Sequence, residues 1–177
     1  MTLKSAPYFV LTGPPGSGKT SLLNVLGSQV QTVAEPARRV LAEQRRIGGT
    51  ATGDQDPAAF LAHMLELAVR DFEAASGITV FDRGLPDLLG FTAYYQLGDG
   101  SVRDAIAALR YRPPVFFLPG WEEIYENDEE RTLNFSGAVA FGELIRQGYE
   151  QSGYGLVDVP IGPLEARAAF VLDRIKT

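Results

Sequence analysis

The sequence predicts a doubly wound α/β domain built on a parallel sheet, and two observations carry that prediction. Short runs rich in β-branched and aromatic residues alternate along the chain with longer stretches of helical pattern. A glycine-rich segment, Gly13-Pro-Pro-Gly-Ser-Gly-Lys-Thr20, joins the first apolar run to the first helical stretch.

In chain order, residues 8–11, 31–34, 78–81, 115–118 and 155–159 read as strands. Residues 19–26, 36–46, 57–75, 86–97, 101–109, 137–151 and 163–175 read as helices. The helix from Pro57 shows its case most fully. Phe60, Leu61, Met64, Leu65, Ala68 and Phe72 recur at three- and four-residue spacing, which sets them on one face toward the core. Asp56 supplies an N-cap and Pro57 the first helical position. His63 falls off that stripe and reads as a surface or boundary residue. Residues 48–55 are polar and glycine-rich, a loop that either borders a pocket or only connects. No repeat, low-complexity tract or linker divides the chain, so residues 1–177 are expected to form one domain.

Composition narrows the function classes. Hydrophobic residues at 45% and charged residues at 21% are ordinary for a soluble globular protein. A net charge of -6 argues against a nucleic-acid partner held by its phosphates. With no cysteine and one histidine, disulfides, thiolate metal sites and Cys-His chemistry are excluded. The apolar run at residues 8–11 is too short for a signal-peptide core, and no stretch approaches membrane-spanning length. A cytoplasmic protein with no membrane span is the expectation.

Gly13, Gly18, Lys19 and Thr20 satisfy the phosphate-binding pattern G-x-x-x-x-G-K-[ST], and the pattern sits where its mechanism requires, after a strand and before a helix. Within Gly13, Pro14, Pro15, Gly16, Ser17 and Gly18 the glycines let the backbone curl around phosphate oxygens, so that its N–H groups, which the two prolines lack, point inward. Lys19 is then expected on the β- and γ-phosphates, the Thr20 hydroxyl on Mg²⁺, and Ser21 on the α-phosphate. The ligand expected is ATP, with GTP the less favoured alternative, and the absence of an Asn-Lys-x-Asp element argues against a signalling GTPase.

Asp82 ends an apolar strand in Gly77-Ile-Thr-Val-Phe-Asp-Arg-Gly84, the position of a carboxylate that approaches Mg²⁺. The alternative is a cap for the next helix. The Asp-Arg pair is similar to an element of nucleoside and nucleoside-monophosphate kinases, whose arginine, here Arg83, meets an anionic group in the acceptor pocket. Glu35 holds a matching strand-end position before Pro36, with Arg38 and Arg39 one turn on. It resembles the Glu-Pro element of deoxynucleoside kinases, whose carboxylate takes the acceptor proton or holds the sugar. Its alternative is a partner for the helix dipole.

The chain as a whole resembles the small P-loop ATPases classed as AAA-like domains, related to the ribosylnicotinamide kinase domain of the bacterial NAD-metabolism regulator. The likeness runs through the phosphate-binding segment, Ala34-Glu-Pro-Ala-Arg, Phe81-Asp-Arg-Gly-Leu-Pro-Asp, Val115-Phe-Phe-Leu-Pro, Ile124-Tyr and Val159-Pro-Ile-Gly-Pro, with Arg167 beyond. It implies a five-stranded parallel sheet of order 2-3-1-4-5 with helices on both faces, and a site like that of nucleoside and nucleotide kinases. By the same resemblance Pro160, Ile161 and Gly162 cover the adenine and Arg167 lies over it, although these residues also fit an ordinary turn and a solvated helix.

Residues 121–135 stand where such kinases carry a lid, and Arg131 is the cation of an acidic run that begins at Glu122. It is the candidate to meet the transferring phosphoryl group; a solvated acidic turn is the alternative. Trp121 and Tyr125 either stack on an acceptor ring or pack in the core. The function these residues imply is a small-molecule kinase using Mg²⁺ and ATP, with Lys19, Asp82, Arg83, Glu35 and Arg131 acting on the phosphoryl group and the acceptor. The alternative is a nucleotide-dependent switch or ATPase that binds a protein or lipid. A chain of 177 residues has no room for the helical subdomain of hexameric AAA rings, so a monomer or homodimer is expected.

Overall fold

The computed structural model describes residues 6–126 and 133–176. Strands β1 (Tyr8–Thr12), β2 (Gln31–Val33), β3 (Thr79–Asp82), β4 (Val115–Phe117) and β5 (Leu156–Asp158) form one sheet. Its order is β2-β3-β1-β4-β5 and every pairing is parallel. The connections are α1 (Lys19–Leu26), α2 (Pro36–Ile47), α3 (Pro57–Ala74), α4 (Asp87–Tyr95), α5 (Gly100–Ala108) and α6 (Phe135–Gln151), and α7 (Leu164–Ile175) closes the described chain.

The period-two geometry of β1 divides the core. Tyr8 and Val10 point to one face, where they meet α3, α4 and α6 through Phe60, Met64, Leu88, Phe141 and Ile145. Phe9 and Leu11 point to the other, against Leu22, Leu26, Val171 and Ile175 of α1 and α7. Central strands buried on both faces are apolar without alternation, which is why Phe9, Val10 and Leu11 run consecutively.

Capping residues set the helix starts that periodicity leaves loose. Asp56 accepts a hydrogen bond from the Ala59 N–H at 2.9 Å and opens α3. Asn134 accepts from Gly137 N–H at 2.8 Å, so α6 begins at Phe135 rather than at the glycine two residues on. His63 on α3 is exposed. Among the described residues no helix is long and apolar enough to cross a membrane.

A parallel sheet gathers the C-terminal ends of its strands on one edge, and the order reverses beside β1. There Thr12, Val33 and Asp82 deliver the chain into the segments that build the site.

Candidate functional site

The loop after β1 is shaped by its glycines. A Cβ on Gly13 would stand 2.2 Å from the Leu118 carbonyl oxygen, so the backbone passes the end of β4 too closely for any side chain. Gly16 and Gly18 take φ of +74° and +86°, the left-handed region open to glycine. The turn ends at Lys19, where α1 begins with no side-chain cap and no acidic residue in its first turn. Its first N–H groups and the positive end of its dipole are thus left for an anion. Lys19 is buried and its Nζ donates to the carbonyls of Pro14 at 2.8 Å and Gly13 at 3.3 Å. Burial, then the nearby Arg83, lowers its pKa to about 8.

Asp82 ends β3 next to β1, paired in register with Leu11. Its Oδ2 accepts a hydrogen bond from the Thr20 hydroxyl at 3.3 Å, and its Oδ1 is buried with no partner. Burial, then the Glu35 carboxylate, raises its pKa to about 6. An orphaned carboxylate oxygen beside a hydroxyl suits a hard cation that takes oxygen ligands, so Mg²⁺ fits this pair. Among the described residues no three His, Cys, Asp or Glu side chains gather into a metal site of their own, so phosphate oxygens would complete the coordination. The side chain that serves the turn after β3 is Asp87, not Asp82.

Arg83, Glu35 and Asp87 form a buried ionic unit. Arg83 has a φ of 68° and donates from Nε to Glu35 Oε1 at 3.0 Å. Its Nη1 donates to Asp87 Oδ1 at 2.8 Å and to the Gly13 carbonyl at 3.0 Å. Asp87 also accepts from the Thr12 hydroxyl at 2.6 Å, the Gly84 N–H at 2.9 Å and the Tyr149 hydroxyl. Glu35 is the N-cap residue of α2 but its carboxylate makes no capping hydrogen bond; it turns to Arg83 and to Arg38, 3.5 Å away. Burial alone would raise its pKa, yet Arg83 and Lys19 outweigh burial and hold it below the usual value. Arg39 leaves the site and pairs with Asp71 of α3.

Two cavities meet on the glycine loop. One, of about 610 Å³, is lined by Gly16, Gly18, Ser21, Trp121, Gly162 and Arg167 among others. Arg167 is buried rather than solvated and donates from Nη2 to the Ser17 carbonyl at 3.0 Å. Pro160 and Ile161 are exposed and stand outside this lining. The other cavity, of about 520 Å³, takes in Lys19, Thr20, Glu35, Arg38 and Arg83, and its wall carries Phe60, Phe91, Tyr94, Tyr95 and Phe141. Trp121 and Tyr125 therefore separate: Trp121 faces the first cavity, whereas Tyr125 faces the second and stands over Gly16. A single 3₁₀ turn, Glu122–Ile124, sets them apart. Arg131 lies outside the described residues.

Sequence reasoning left Asp87 without a role and passed over the aromatic wall. Signals for both were present. Asp87 is the one charged residue between Gly84 and Thr92, an otherwise apolar stretch that is buried throughout. Phe91, Tyr94 and Tyr95 share one helix face by their i, i+3, i+4 spacing.

A family model described as an AAA domain matches residues 8–167. No curated protein sequence matches the chain. Among solved structures, deoxyadenosine kinase from M. mycoides superposes with a TM-score of 0.65 at 11% identity, covering 96% of this chain and 98% of that one. Shikimate kinase from Acinetobacter baumannii gives 0.64 at 14% identity, over 98% of this chain and 94% of that one. Thymidylate kinase from Ehrlichia chaffeensis gives 0.60 at 16% identity, over 98% and 100%. At these identities the likeness is one of fold, the P-loop NTPase fold of nucleoside and nucleotide kinases.

Proposed function

The chain belongs to the AAA domain family, whose model spans its residues 8–167, and from that premise we propose that it is a small-molecule kinase moving the γ-phosphoryl of ATP to a hydroxyl or phosphate acceptor. The observation that carries the reading is the pair of cavities joined at Gly16, Gly18 and Ser21. The triphosphate would lie along the loop, with its base toward Trp121, Gly162 and Arg167 and its γ-phosphate toward Lys19. The acceptor would enter beside Glu35. A switch that only hydrolyses nucleotide has no use for the second cavity, which the kinase reading accounts for. Solved kinases of the same fold support it at the level of architecture.

In that reading Lys19 exchanges the Gly13 and Pro14 carbonyls for the β- and γ-phosphates, while the N-terminus of α1 holds their oxygens. Thr20 and Asp82 would hold Mg²⁺, which supplies charge neutralisation across the phosphates. A hydroxyl acceptor forms the new O–P bond at the γ-phosphorus, the bond to the bridging oxygen breaks with its electron pair leaving on ADP, and the hydroxyl proton passes to Glu35 or Asp82. A phosphate acceptor transfers no proton. Glu35, held ionised by Arg83, suits a hydrogen bond to the acceptor. The raised pKa of Asp82 belongs to the metal-free site and falls beside bound Mg²⁺, so Asp82 would take the proton only through an oxygen the metal leaves free. Arg83 works from beneath, holding Glu35 and the start of the loop in place. Arg131 is proposed to meet the phosphoryl in flight.

The test is ADP release from Mg²⁺-ATP in the presence of nucleosides, nicotinamide riboside, nucleoside monophosphates and small sugars. Release that rises with one acceptor class carries the reading. A rate that no acceptor raises above background hydrolysis sinks it. Nicotinamide riboside tests the resemblance to the ribosylnicotinamide kinase domain directly.

A further inference from the structure

The second cavity has two unlike walls. One is a continuous aromatic surface: Phe91 packs edge-on against Phe141 with centroids 5.0 Å apart, and Tyr94 does the same at 5.4 Å. Phe91 also contacts Phe60 and Tyr95, at 6.3 Å and 6.4 Å. Tyr94 is 45% exposed although its ring lines the cavity, so a large aromatic face is kept open to whatever enters. The other wall belongs to α2, where Arg38, Leu41 and Arg45 line the cavity from one helix face at i, i+3, i+7 spacing. The two arginines are separated by about 10 Å along the helix axis, two turns at 1.5 Å per residue.

Charge in the cavity is lopsided. Lys19, Arg38, Arg45 and Arg83 line it against Glu35 and Asp54. Arg83 is held by Glu35 and Asp87, and Lys19 serves the nucleotide; Arg38 reaches Glu35 at 3.5 Å and Arg45 reaches the Leu41 carbonyl at 3.4 Å, and both line the cavity. The wall opposite the aromatic rings is the cationic face of α2, where an anion would share these guanidinium groups with the partners they already have. A cationic acceptor meets like charge there, and a polyol would lay its hydroxyls on rings that cannot pair with them. A flat ring stacks on Tyr94 and Phe141, and an attached anion is matched by arginine.

We propose that the acceptor is a planar aromatic ring joined to an anionic group, the ring on the Tyr94–Phe141 wall and the anion on the Arg38–Arg45 face. The proposal rests on the kinase reading for the word acceptor, but the binding it describes is measurable without turnover.

The experiment titrates four probes by calorimetry in the presence of Mg²⁺ and a nonhydrolysable ATP analogue. Thymidine 5′-monophosphate and 4-hydroxybenzoate carry both features, one through phosphate and one through carboxylate; thymidine has the ring without the charge, and shikimate the charge without the aromatic ring. At least one two-feature probe should bind tenfold or more tightly than both controls, and which of the two wins names the anion. Tyr94→Ala and the double substitution Arg38→Gln with Arg45→Gln should each remove that margin while leaving affinity for the ATP analogue unchanged. These are surface or half-exposed positions, and a melting curve for each variant establishes folding. Binding of thymidine or shikimate equal to the two-feature probes overturns the proposal, as does a margin that survives both variants or a panel in which nothing binds. Tight binding of a two-feature probe with no acceptor-dependent ADP release would sustain this proposal and sink the kinase reading. Turnover on an uncharged polyol would do the reverse.

Discussion

Arg83 Nη1 reaches the Gly13 carbonyl at 3.0 Å, so an arginine just beyond β3 holds the first residue of the phosphate loop beyond β1. The same guanidinium is shared with Glu35 and Asp87. The loop's first residue, the strand-end carboxylate of Glu35 and the buried Asp87 thus hang on one side chain that is 5% exposed.

Replacing Arg83 with Met should leave the buried Asp87 carboxylate without its cation and the partly buried Glu35 with Arg38 alone, 3.5 Å away. Breaking such a unit costs about 3–5 kcal/mol, so urea unfolding should show a midpoint well below wild type. Arg83→Lys should recover little of it, since an ammonium cannot fork between Glu35 and Asp87 as a guanidinium does. A variant within about 0.5 kcal/mol of wild type, the range of ordinary surface changes, would show that the unit carries no stability.

Lys19→Ala should abolish most nucleotide binding and turnover with the fold intact. Burial lowers the pKa of this lysine, so its charge is a burden on the empty protein, and the variant should melt no lower than wild type. Added Mg²⁺-ATP should raise the melting temperature of wild type alone. Undiminished nucleotide stabilisation in the variant would remove Lys19 from the site.

Asp82→Asn should damage turnover more than nucleotide affinity if, as proposed, the carboxylate serves the metal and the moving phosphoryl. It should also change the stability profile with pH, measured in EDTA. The folded pKa of Asp82 is raised from 3.8 to about 6, so between those values the folded state binds more protons than the unfolded one. Stability from this group is complete below pH about 3.8 and is lost as pH rises through about 6. The Asn variant should lack that decline; an identical profile in both proteins counts against the shift.

Arg131→Ala should lower kcat by about two to three orders of magnitude with little change in ATP affinity, the scale of losing one charge contact made in the transition state. Wild-type kcat in the variant would remove Arg131 from the phosphoryl-transfer reading.

Much of this site was legible because local order writes it. A strand, a glycine turn and Lys-Thr at a helix start fix the phosphate loop by themselves, and α1 spans the residues its pattern predicts. Glu35 and Asp82 were visible as strand-end carboxylates, since a parallel sheet sends every such end to one edge. The strand order rested on family resemblance, because no local pattern says which strand lies beside which. Asp87 showed in the sequence only as a lone charge in an apolar stretch; its role did not, because Arg83 lies 4 residues away but its other partners Thr12 and Tyr149 lie 75 and 62 residues away in the chain. The aromatic wall joins α3, α4 and α6 in the same way, through packing that periodicity marks only as core. Arg167 read as solvated from its helix and as base-facing from the resemblance, and only the folded chain brings it behind Ser17.

The chain has a single tryptophan, and it stands beside the phosphate loop with the Arg167 guanidinium 5.6 Å from its ring centroid. Indole emission, excited at the red edge where the seven tyrosines do not absorb, is consequently a one-site signal. If the base enters between Trp121 and Gly162 as proposed, it changes both the polarity around the indole and its distance from a quenching cation, so occupancy can be followed by label-free fluorescence in the cuvette where ADP release is measured. Stopped-flow traces of that signal would separate the arrival of nucleotide from the transfer that follows, with Lys19→Ala as the optical blank.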